Sequence, residues 1–173
     1  IDNPWQWDWG FIVIPDRLGD ATGWMGYYAF TASTMRTTNH LNRGYPACWS
    51  TRPDTPVDCQ TSRLYGDTST CALGDFLSPG PDGWNRQVYH SCDTSAGHSG
   101  SPLYRYVFDK KLNKDVPGVV GVHNASLCDR DVDNDGTVEP SEICDASDDY
   151  PGVVRRNTPT ELDIISFFRE EFP

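Results

Sequence analysis

The sequence is poor in basic residues and in long apolar runs. It has 14 Lys and Arg against 25 Asp and Glu, a formal net charge of -11. No basic patch stands out, so nucleic-acid binding is not expected. The mean hydropathy is -0.57, and no apolar run approaches the roughly 18 residues of a membrane-spanning helix, so no membrane association is expected. No signal peptide pattern is present, and we expect the chain to be either mature or truncated.

The six cysteines lack the Cys-x-x-Cys spacing that is typical of zinc sites. In a chain of this size they indicate disulfides and an oxidising, secreted setting. Six cysteines allow about 15 pairings. Since each pair would close a local loop, we predict Cys48 with Cys59, Cys71 with Cys92, and Cys128 with Cys144.

Most of the acidity lies in one segment. Residues 129–149 hold nine Asp or Glu and one Arg, which leaves a net charge of about -3 for the rest of the chain. Within this segment, residues 131–142 place acidic side chains at the first, third, fifth and twelfth positions and Gly136 at the sixth. This pattern is typical of a calcium loop, although an acidic loop with an Asp-Gly turn is the alternative.

Calcium prefers several oxygen ligands, and the loop offers carboxylates, a carbonyl and a water-mediated contact. The predicted ligands are Asp131, Asp133, Asp135, Thr137 (by its carbonyl), Glu139 (through water) and Glu142 (bidentate). The flanks do not predict the two helices of a full EF-hand, because residues 124–130 are too few and Pro140 interrupts the exit side. We therefore predict an isolated EF-hand-like insert at 128–144 that braces the segment before it.

A serine lies between two glycines in the segment Gly97-His98-Ser99-Gly100-Ser101-Pro102. A serine that performs acyl transfer needs a general base and a tight, exposed turn, which flanking glycines permit. The backbone N–H groups of Gly97 and Ser99 could then hold the oxyanion of a tetrahedral intermediate. Taken alone, the segment is equally compatible with a surface loop.

The wider segment 93–102, followed by Gly118-Val119-Val120-Gly121-Val122-His123, resembles the nucleophile region of trypsin-like serine proteases, and of glutamyl endopeptidases in particular. That resemblance implies a specificity pocket for an acidic side chain, formed by Thr94, His123 and Ser126. Asp93 complicates this assignment, since trypsin-like enzymes that cleave after Lys or Arg carry a pocket aspartate at the same distance from the serine. A neutral or protonated imidazole can donate a hydrogen bond to a substrate carboxylate, which favours the acidic specificity.

Asp8-Trp9-Gly10 precedes the apolar run 11–14 and resembles the setting of the triad aspartate in this family. The resemblance implies that Asp8 orients the catalytic imidazole and stabilises its protonated form. None of the four histidines, His40, His90, His98 and His123, lies in the sequence setting of the family's catalytic histidine. We therefore expect that histidine to come from an N-terminal segment of the same precursor.

Short runs rich in aromatic and β-branched residues, separated by turn signals, predict an all-β fold with an antiparallel barrel. The predicted strands are 11–14, buried on both faces, and then 27–31, 37–45, 61–65, 86–92, 103–108 and 116–122. Thr158, Pro159 and Glu161 predict the start of a C-terminal helix over 158–172 whose apolar face packs on the barrel.

The resemblance divides the chain into 1–30, the end of an N-terminal barrel and its connection, and 31–173, a C-terminal Greek-key barrel. It implies a secreted serine endopeptidase that cleaves peptide or protein substrates after glutamate, with calcium as a bound ion. Cleavage after Lys or Arg is one alternative. The others are an inactive homologue that acts as a calcium-stabilised binding module, and a calcium-dependent adhesion or scaffold protein.

Overall fold

The computed structural model describes residues 7–48, 59–66, 69–80, 82–95, 97–126 and 152–171. Strands predominate in these ranges, as the composition of the short runs predicted. The elements in chain order are α1 (Gly19–Thr22), β1 (Gly26–Tyr27), α2 (Ala32–Arg36), β2 (Leu41–Gly44), β3 (Tyr65–Gly66), β4 (Leu73–Pro79), β5 (Asn85–His90), β6 (Pro102–Asp109), β7 (Lys114–Ser126), β8 (Gly152–Arg156) and α3 (Pro159–Glu171).

The strands form one sheet in the order β3-β2-β6-β7-β8-β5-β4, and β1 pairs with β7 outside this path. Every pairing along the path is antiparallel, whereas the short β1–β7 pairing is parallel. The all-β prediction is thereby confirmed. A separate antiparallel bridge joins His40, just before β2, to Cys71, just before β4.

The hairpin of β6 and β7 is the longest pairing of the sheet, and it includes the predicted strands 103–108 and 116–122. Its register runs from Pro102 opposite Val122 to Asp109 opposite Lys114. The Asp109 carboxylate accepts hydrogen bonds from the backbone N–H groups of Lys111 and Leu112, at 2.7 and 3.0 Å. An aspartate that satisfies two turn amides in this way stabilises the tight reversal.

The core is built from alternate residues of the paired strands, because successive side chains point to opposite faces of a sheet. Its fully buried members are drawn from α2, the central strands and one disulfide: Met35, Cys71, Val88, Cys92, Leu103, Val120 and Val154. Four partly buried side chains pack against this cluster, namely Tyr28, Phe30, Leu73 and Phe76.

Two of the three predicted disulfides are confirmed. Cys48 is bonded to Cys59, and Cys71 is bonded to Cys92 in the core. The predicted Cys128–Cys144 pair lies outside the described residues.

The prediction of a buried strand at residues 11–14 is wrong. These residues adopt no strand, and Ile12 is 87% exposed. A short apolar run predicts burial, but it does not specify which other element of the fold covers it. Within the described ranges, no neighbouring strand pairs with this segment.

Other predicted strands are shorter than expected. Residues 32–36 form α2, whose first turn is capped by the Thr31 hydroxyl, which accepts a hydrogen bond from the Thr34 N–H at 3.2 Å. The predicted strand 27–31 is reduced to β1, 37–45 to β2 and 61–65 to β3.

The predicted C-terminal helix is confirmed in α3. The backbone N–H of Thr158 donates to a Glu161 carboxylate oxygen at 2.8 Å, and the Thr158 hydroxyl contacts the same oxygen. This closes the start of the helix as the capping pattern predicted. Ile164, Ile165 and Phe168 are half-buried, and the Phe168 ring lies 5.0 Å from that of Phe11.

Glu161 also anchors α3 to the sheet through buried charges. The Arg155 guanidinium donates to a Glu161 oxygen at 2.5 Å, and Arg86 lies 3.7 Å from that oxygen. Arg86 is also paired with Asp82 at 3.1 Å. A buried cation loses its hydration, so these carboxylates are needed to compensate Arg86 and Arg155.

No helix in the described part of the chain is both long and apolar enough to cross a bilayer.

Candidate active site

Ser99 lies on an exposed turn whose two glycines have positive φ angles. These are +96° at Gly97 and +89° at Gly100. At Gly97 a side chain is also excluded by space, because a Cβ atom there would lie 2.3 Å from the Ala47 nitrogen. Glycine is therefore required at position 97 for conformation and for close approach. Ser99 itself is exposed.

Two backbone hydrogen bonds attach the Ser99 turn to β7. The Gly100 N–H donates to the His123 carbonyl at 2.8 Å, and the His123 N–H donates to the Ser101 carbonyl at 2.8 Å. The candidate nucleophile and the candidate specificity residue, far apart in sequence, are thereby held in a fixed relation.

The turn before Ser99 is closed by His98. Its backbone N–H donates to the Ser95 carbonyl at 3.1 Å, and its Nδ1 atom accepts from the Ser95 N–H at 3.1 Å. The His98 ring is buried and lies under Gly44, where a Cβ atom would be 2.9 Å from the His98 Cδ2 atom. His98 thus restrains the backbone that carries Gly97 and Ser99.

Asn42 supports the other side of the turn. Its amide nitrogen donates to the Ser101 hydroxyl at 2.9 Å and to the Pro102 carbonyl at 3.1 Å. The Ser101 hydroxyl in turn donates to the Asn42 amide oxygen at 3.1 Å. Because Asn42 is fully buried, these bonds satisfy polar groups that water does not reach.

His123 is hydrogen-bonded to a second buried histidine. The His90 Nε2 atom lies 3.0 Å from the His123 Nδ1 atom. The His90 Nδ1 atom accepts the backbone N–H of Cys92 at 3.1 Å, so a neutral His90 carries its proton on Nε2. His90 therefore donates to His123, and a neutral His123 carries its proton on Nε2.

Burial keeps this pair neutral. It lowers the His123 pKa to about 4, with a smaller contribution from the charge of His98, whereas a hydrogen bond to the Val153 backbone acts in the opposite direction. It also lowers the His90 pKa well below its ordinary value, and His123 and His40 add to that shift. Desolvation disfavours the charged form of an imidazole, so each ring acts as a neutral donor and acceptor.

The close fit of His90 depends on a glycine of the neighbouring strand. Gly152 lies opposite His90 in the β5–β8 register. A Cβ atom at Gly152 would lie 2.2 Å from the His90 Cε1 atom. Any side chain at position 152 would therefore displace the ring that orients His123.

Ser99 lines a groove with a volume of about 710 Å³. Gly97, His98 and Gly100 line the groove beside the serine. The remaining wall is mostly apolar and aromatic, and the described residues that form it are Met25, Arg43, Gly44, Tyr45, Leu64, Ser101, Pro102, Tyr104, Tyr106 and Pro117. A groove of this size beside an exposed serine can accommodate part of a peptide.

The other predicted site residues are less closely associated. Thr94 is half-buried and Asp93 is exposed, and both belong to the segment that leads into the Ser99 turn. Ser126 ends β7, opposite Gly152 of β8. Asp8 is exposed and is not among the described residues that line the groove. Residues 9–11, which follow it, line a separate small cavity together with Val122, Arg155 and Ile165.

The predicted calcium ligands, residues 131–142, lie outside the described residues. Within the described ranges, no three His, Cys, Asp or Glu side chains cluster as a metal site would require.

Sequence reasoning missed His90, His98 and Asn42 as parts of this site. Each contacts a residue distant in sequence or within a turn whose shape no pattern shows. The one signal in the sequence was that histidine is scarce, since the chain has only four. In the structure all four are buried, whereas histidine is of intermediate burial in proteins generally.

A scan against protein-family models found no match, and searches of curated proteins and of solved structures found none either.

Proposed function

We propose that the chain is the catalytic part of a secreted serine endopeptidase that cleaves after acidic residues. The observation that carries the proposal is the pair of backbone hydrogen bonds that holds β7 at His123, a neutral imidazole donor, against the turn of an exposed serine, Ser99. For a substrate carboxylate to accept a hydrogen bond from His123, the buried ring must exchange its hydrogen bond to the Val153 backbone for one to the substrate. The negative charge of the carboxylate favours this exchange and proton uptake by the ring.

A contact between the two sides of the sheet supports the trypsin-like assignment, because it is of the kind that closes a barrel. The bridge between His40 and Cys71 connects β2 with β4, which lie on opposite sides of the sheet path. We propose that this bridge closes a six-stranded barrel of the Greek-key type, corresponding to residues 31–173. Residues 1–30 then form the end of a first barrel and the connection between the barrels, and the connection contributes β1, which pairs with β7.

In the proposed mechanism, the Ser99 hydroxyl attacks the scissile carbonyl while an imidazole takes its proton. The backbone N–H groups of Gly97 and Ser99 donate to the resulting oxyanion. The imidazole then protonates the leaving amine, and water hydrolyses the acyl-enzyme by the same route. Asp8 orients the imidazole by accepting a hydrogen bond from its second nitrogen.

We propose that this imidazole belongs to an N-terminal segment of the same precursor. Of the four histidines in the chain, His98 alone lines the groove, and its Nδ1 atom accepts the Ser95 N–H. The apolar side chains of residues 11–14 are exposed. They offer a surface of the kind that a packed segment covers, since their burial would contribute roughly 1.5–3 kcal/mol each.

Calcium belongs to the proposal on the chemistry of residues 131–142, which present the oxygen ligands of a calcium loop. The two disulfides support a secreted location, because such bonds persist in oxidising compartments.

Labelling with a fluorophosphonate tests the nucleophile. The protein purified with any associated segment is expected to react at Ser99, as located by peptide mass analysis. Ser99→Ala should abolish labelling, whereas Ser33→Ala, at an exposed serine of α2, should leave it unchanged. A folded protein that does not react at Ser99 would instead support a binding module.

Paired peptides that differ only at the residue before the cleaved bond test the specificity. We expect kcat/KM for Glu to exceed that for Gln by at least about tenfold, because the carboxylate alone gains the charge-assisted hydrogen bond from His123. Cleavage restricted to Lys or Arg would contradict the acidic specificity and assign the pocket to Asp93.

A further inference from the structure

We propose that the groove beside Ser99 binds the leaving-group side of the substrate. We also propose that it selects a large apolar or aromatic side chain there, followed by an acidic residue. This inference rests on the proposed protease function and adds a second specificity determinant to it. Nothing in the predicted acidic pocket requires such a preference.

The side of the cleaved bond follows from which residues line the groove. The groove contains Ser99 and Gly97 but neither Thr94 nor His123, two of the residues assigned to the acidic pocket. A peptide extends in both directions from the carbonyl that Ser99 attacks. With the acidic side chain at His123, outside the groove, we assign the groove to the chain beyond the cleaved bond. The residues before the acidic one are the alternative occupant, and acyl transfer to added amines distinguishes the two.

The chemistry of the walls indicates the preferred side chain. Tyr104 and Tyr106 lie two residues apart on β6 and therefore on the same face, with ring centroids 6.3 Å apart at an interplanar angle of 73°. Leu64 and Tyr45, both more than half exposed, complete the apolar wall. Such surfaces bind apolar and aromatic groups, which prefer edge-to-face or offset contacts.

A cation lies at the same wall. Arg43 lines the groove and is exposed. Its positive charge partly offsets the rise in the Tyr104 pKa that burial causes. Arg43 is thus complementary to a carboxylate next to an apolar group, and this defines the proposed occupant: an apolar residue followed by an acidic one.

Acyl transfer to added amines measures this site separately from the acidic pocket. In the protein purified with any associated segment, a glutamyl ester substrate acylates Ser99, and either water or an amine then releases the acyl group. With a dipeptide amide, a bond forms between its amine nitrogen and the acyl carbon, and the ester bond to the Ser99 oxygen breaks. The amine proton passes through the imidazole base to that oxygen. The ratio of aminolysis to hydrolysis reports binding on the leaving-group side alone.

We expect Phe-Asp-amide to be used at least about tenfold more efficiently than Gly-Asp-amide, the range in which apolar contacts discriminate. Tyr106→Ala should remove most of this preference. Phe108→Ala is the matched control, since Tyr106 and Phe108 are both 56% exposed on β6, but Phe108 does not line the groove. Arg43→Gln should lower the use of Phe-Asp-amide towards that of Phe-Asn-amide.

The two proposals fail in different ways. If the ester is hydrolysed at Ser99 but both amines react equally, or if Tyr106→Ala and Phe108→Ala behave alike, the groove inference is overturned and the protease proposal stands. If the ester is not hydrolysed at all, the protease function is overturned, and the leaving-group site with it.

Discussion

The Nε2 atom of His90 lies 3.0 Å from the Nδ1 atom of His123, and both rings are buried. The Cys92 N–H fixes the other end of the pair by donating to His90. One proton arrangement therefore satisfies the whole chain of contacts, and it leaves His123 with a donor on Nε2. Four segments hold this arrangement in place, since β5 carries His90, β7 carries His123, Gly152 of β8 makes room, and the Cys71–Cys92 disulfide fixes the amide.

Stability is expected to fall on mild acidification because of the buried histidines. The pKa values of His40 and His123 in the folded protein are lowered to about 4 by burial, whereas the unfolded chain takes up these protons near pH 6.5. Stability is therefore complete above about pH 6.5 and declines as the pH falls towards 4. Between pH 7.5 and 5 the loss should be about 2 kcal/mol per histidine. Urea unfolding across this range checks it.

The slope of the free energy of unfolding against pH identifies the titrating groups that are responsible. His40→Gln should flatten the dependence by about one proton, whereas Asp163→Asn, at an exposed position of α3, should leave it unchanged. A free energy of unfolding that is constant between pH 7.5 and 5 would contradict the prediction.

Substitution of His98 is expected to slow acylation of Ser99. His98→Leu removes the Nδ1 acceptor for the Ser95 N–H and frees the backbone that carries the Gly97 amide. A misplaced oxyanion donor costs about 10²–10³ in rate, so we expect a decrease of that order in the fluorophosphonate labelling rate. His98→Asn, whose side-chain oxygen can accept the same hydrogen bond, should recover most of it.

A purely structural role of His98 predicts another pattern. In that case the labelling rate of each variant would fall only as far as its stability falls, as measured by the decrease in Tm. Equal labelling rates in His98→Leu and the parent protein would show that the turn does not depend on this bond.

The two disulfides should differ in their effect on specificity and not on stability. Their loops span 11 and 21 residues, for which chain entropy predicts similar losses of about 3 kcal/mol when either bond is removed. Only Cys71→Ala/Cys92→Ala displaces the amide that orients His90. We therefore expect this double variant to lower the Glu-to-Gln preference in kcat/KM, whereas Cys48→Ala/Cys59→Ala preserves it. The same preference in both double variants would rule out the link to His90.

Removing the charge of Glu161 should destabilise the fold strongly. Glu161→Gln leaves Arg155 and Arg86 buried with less compensation and weakens the start of α3. The cost of breaking a buried ion pair is about 3–5 kcal/mol. Glu170→Gln, at an exposed position of the same helix, should change the free energy of unfolding by less than about 0.5 kcal/mol. Chemical denaturation of both variants measures the difference, and similar values would contradict it.

Calcium should stabilise the protein through residues 131–142. At a free concentration of about 100 times the dissociation constant, binding adds roughly 2.7 kcal/mol, which corresponds to a rise in Tm of about 5–10 °C. Asp131→Asn with Asp133→Asn should remove this rise, whereas Asp148→Asn, outside the loop pattern, should retain it. A Tm that does not respond to chelation would exclude a calcium site.

Features that depend on neighbouring residues were predictable from the sequence. The turn at Ser99 needs glycine on both sides because Gly97 and Gly100 have positive φ. The capping pair Thr158 and Glu161 set the start of α3. The β6–β7 hairpin and the two short disulfide loops also follow from local pattern and spacing.

Contacts between distant segments were decided only by the tertiary structure. No pattern pairs His90 with His123, or Asn42 with Ser101, because the register of β5, β8 and β7 determines which side chains meet. The apolar run 11–14 shows the same limit, since apolar character predicts burial without specifying a partner. The sequence alone therefore determined an all-β chain with an exposed serine turn, and the packing of its strands decided which groups surround that serine. The physical reason is that turns and caps depend on bonds between near neighbours, whereas a site depends on how strands far apart in the chain align.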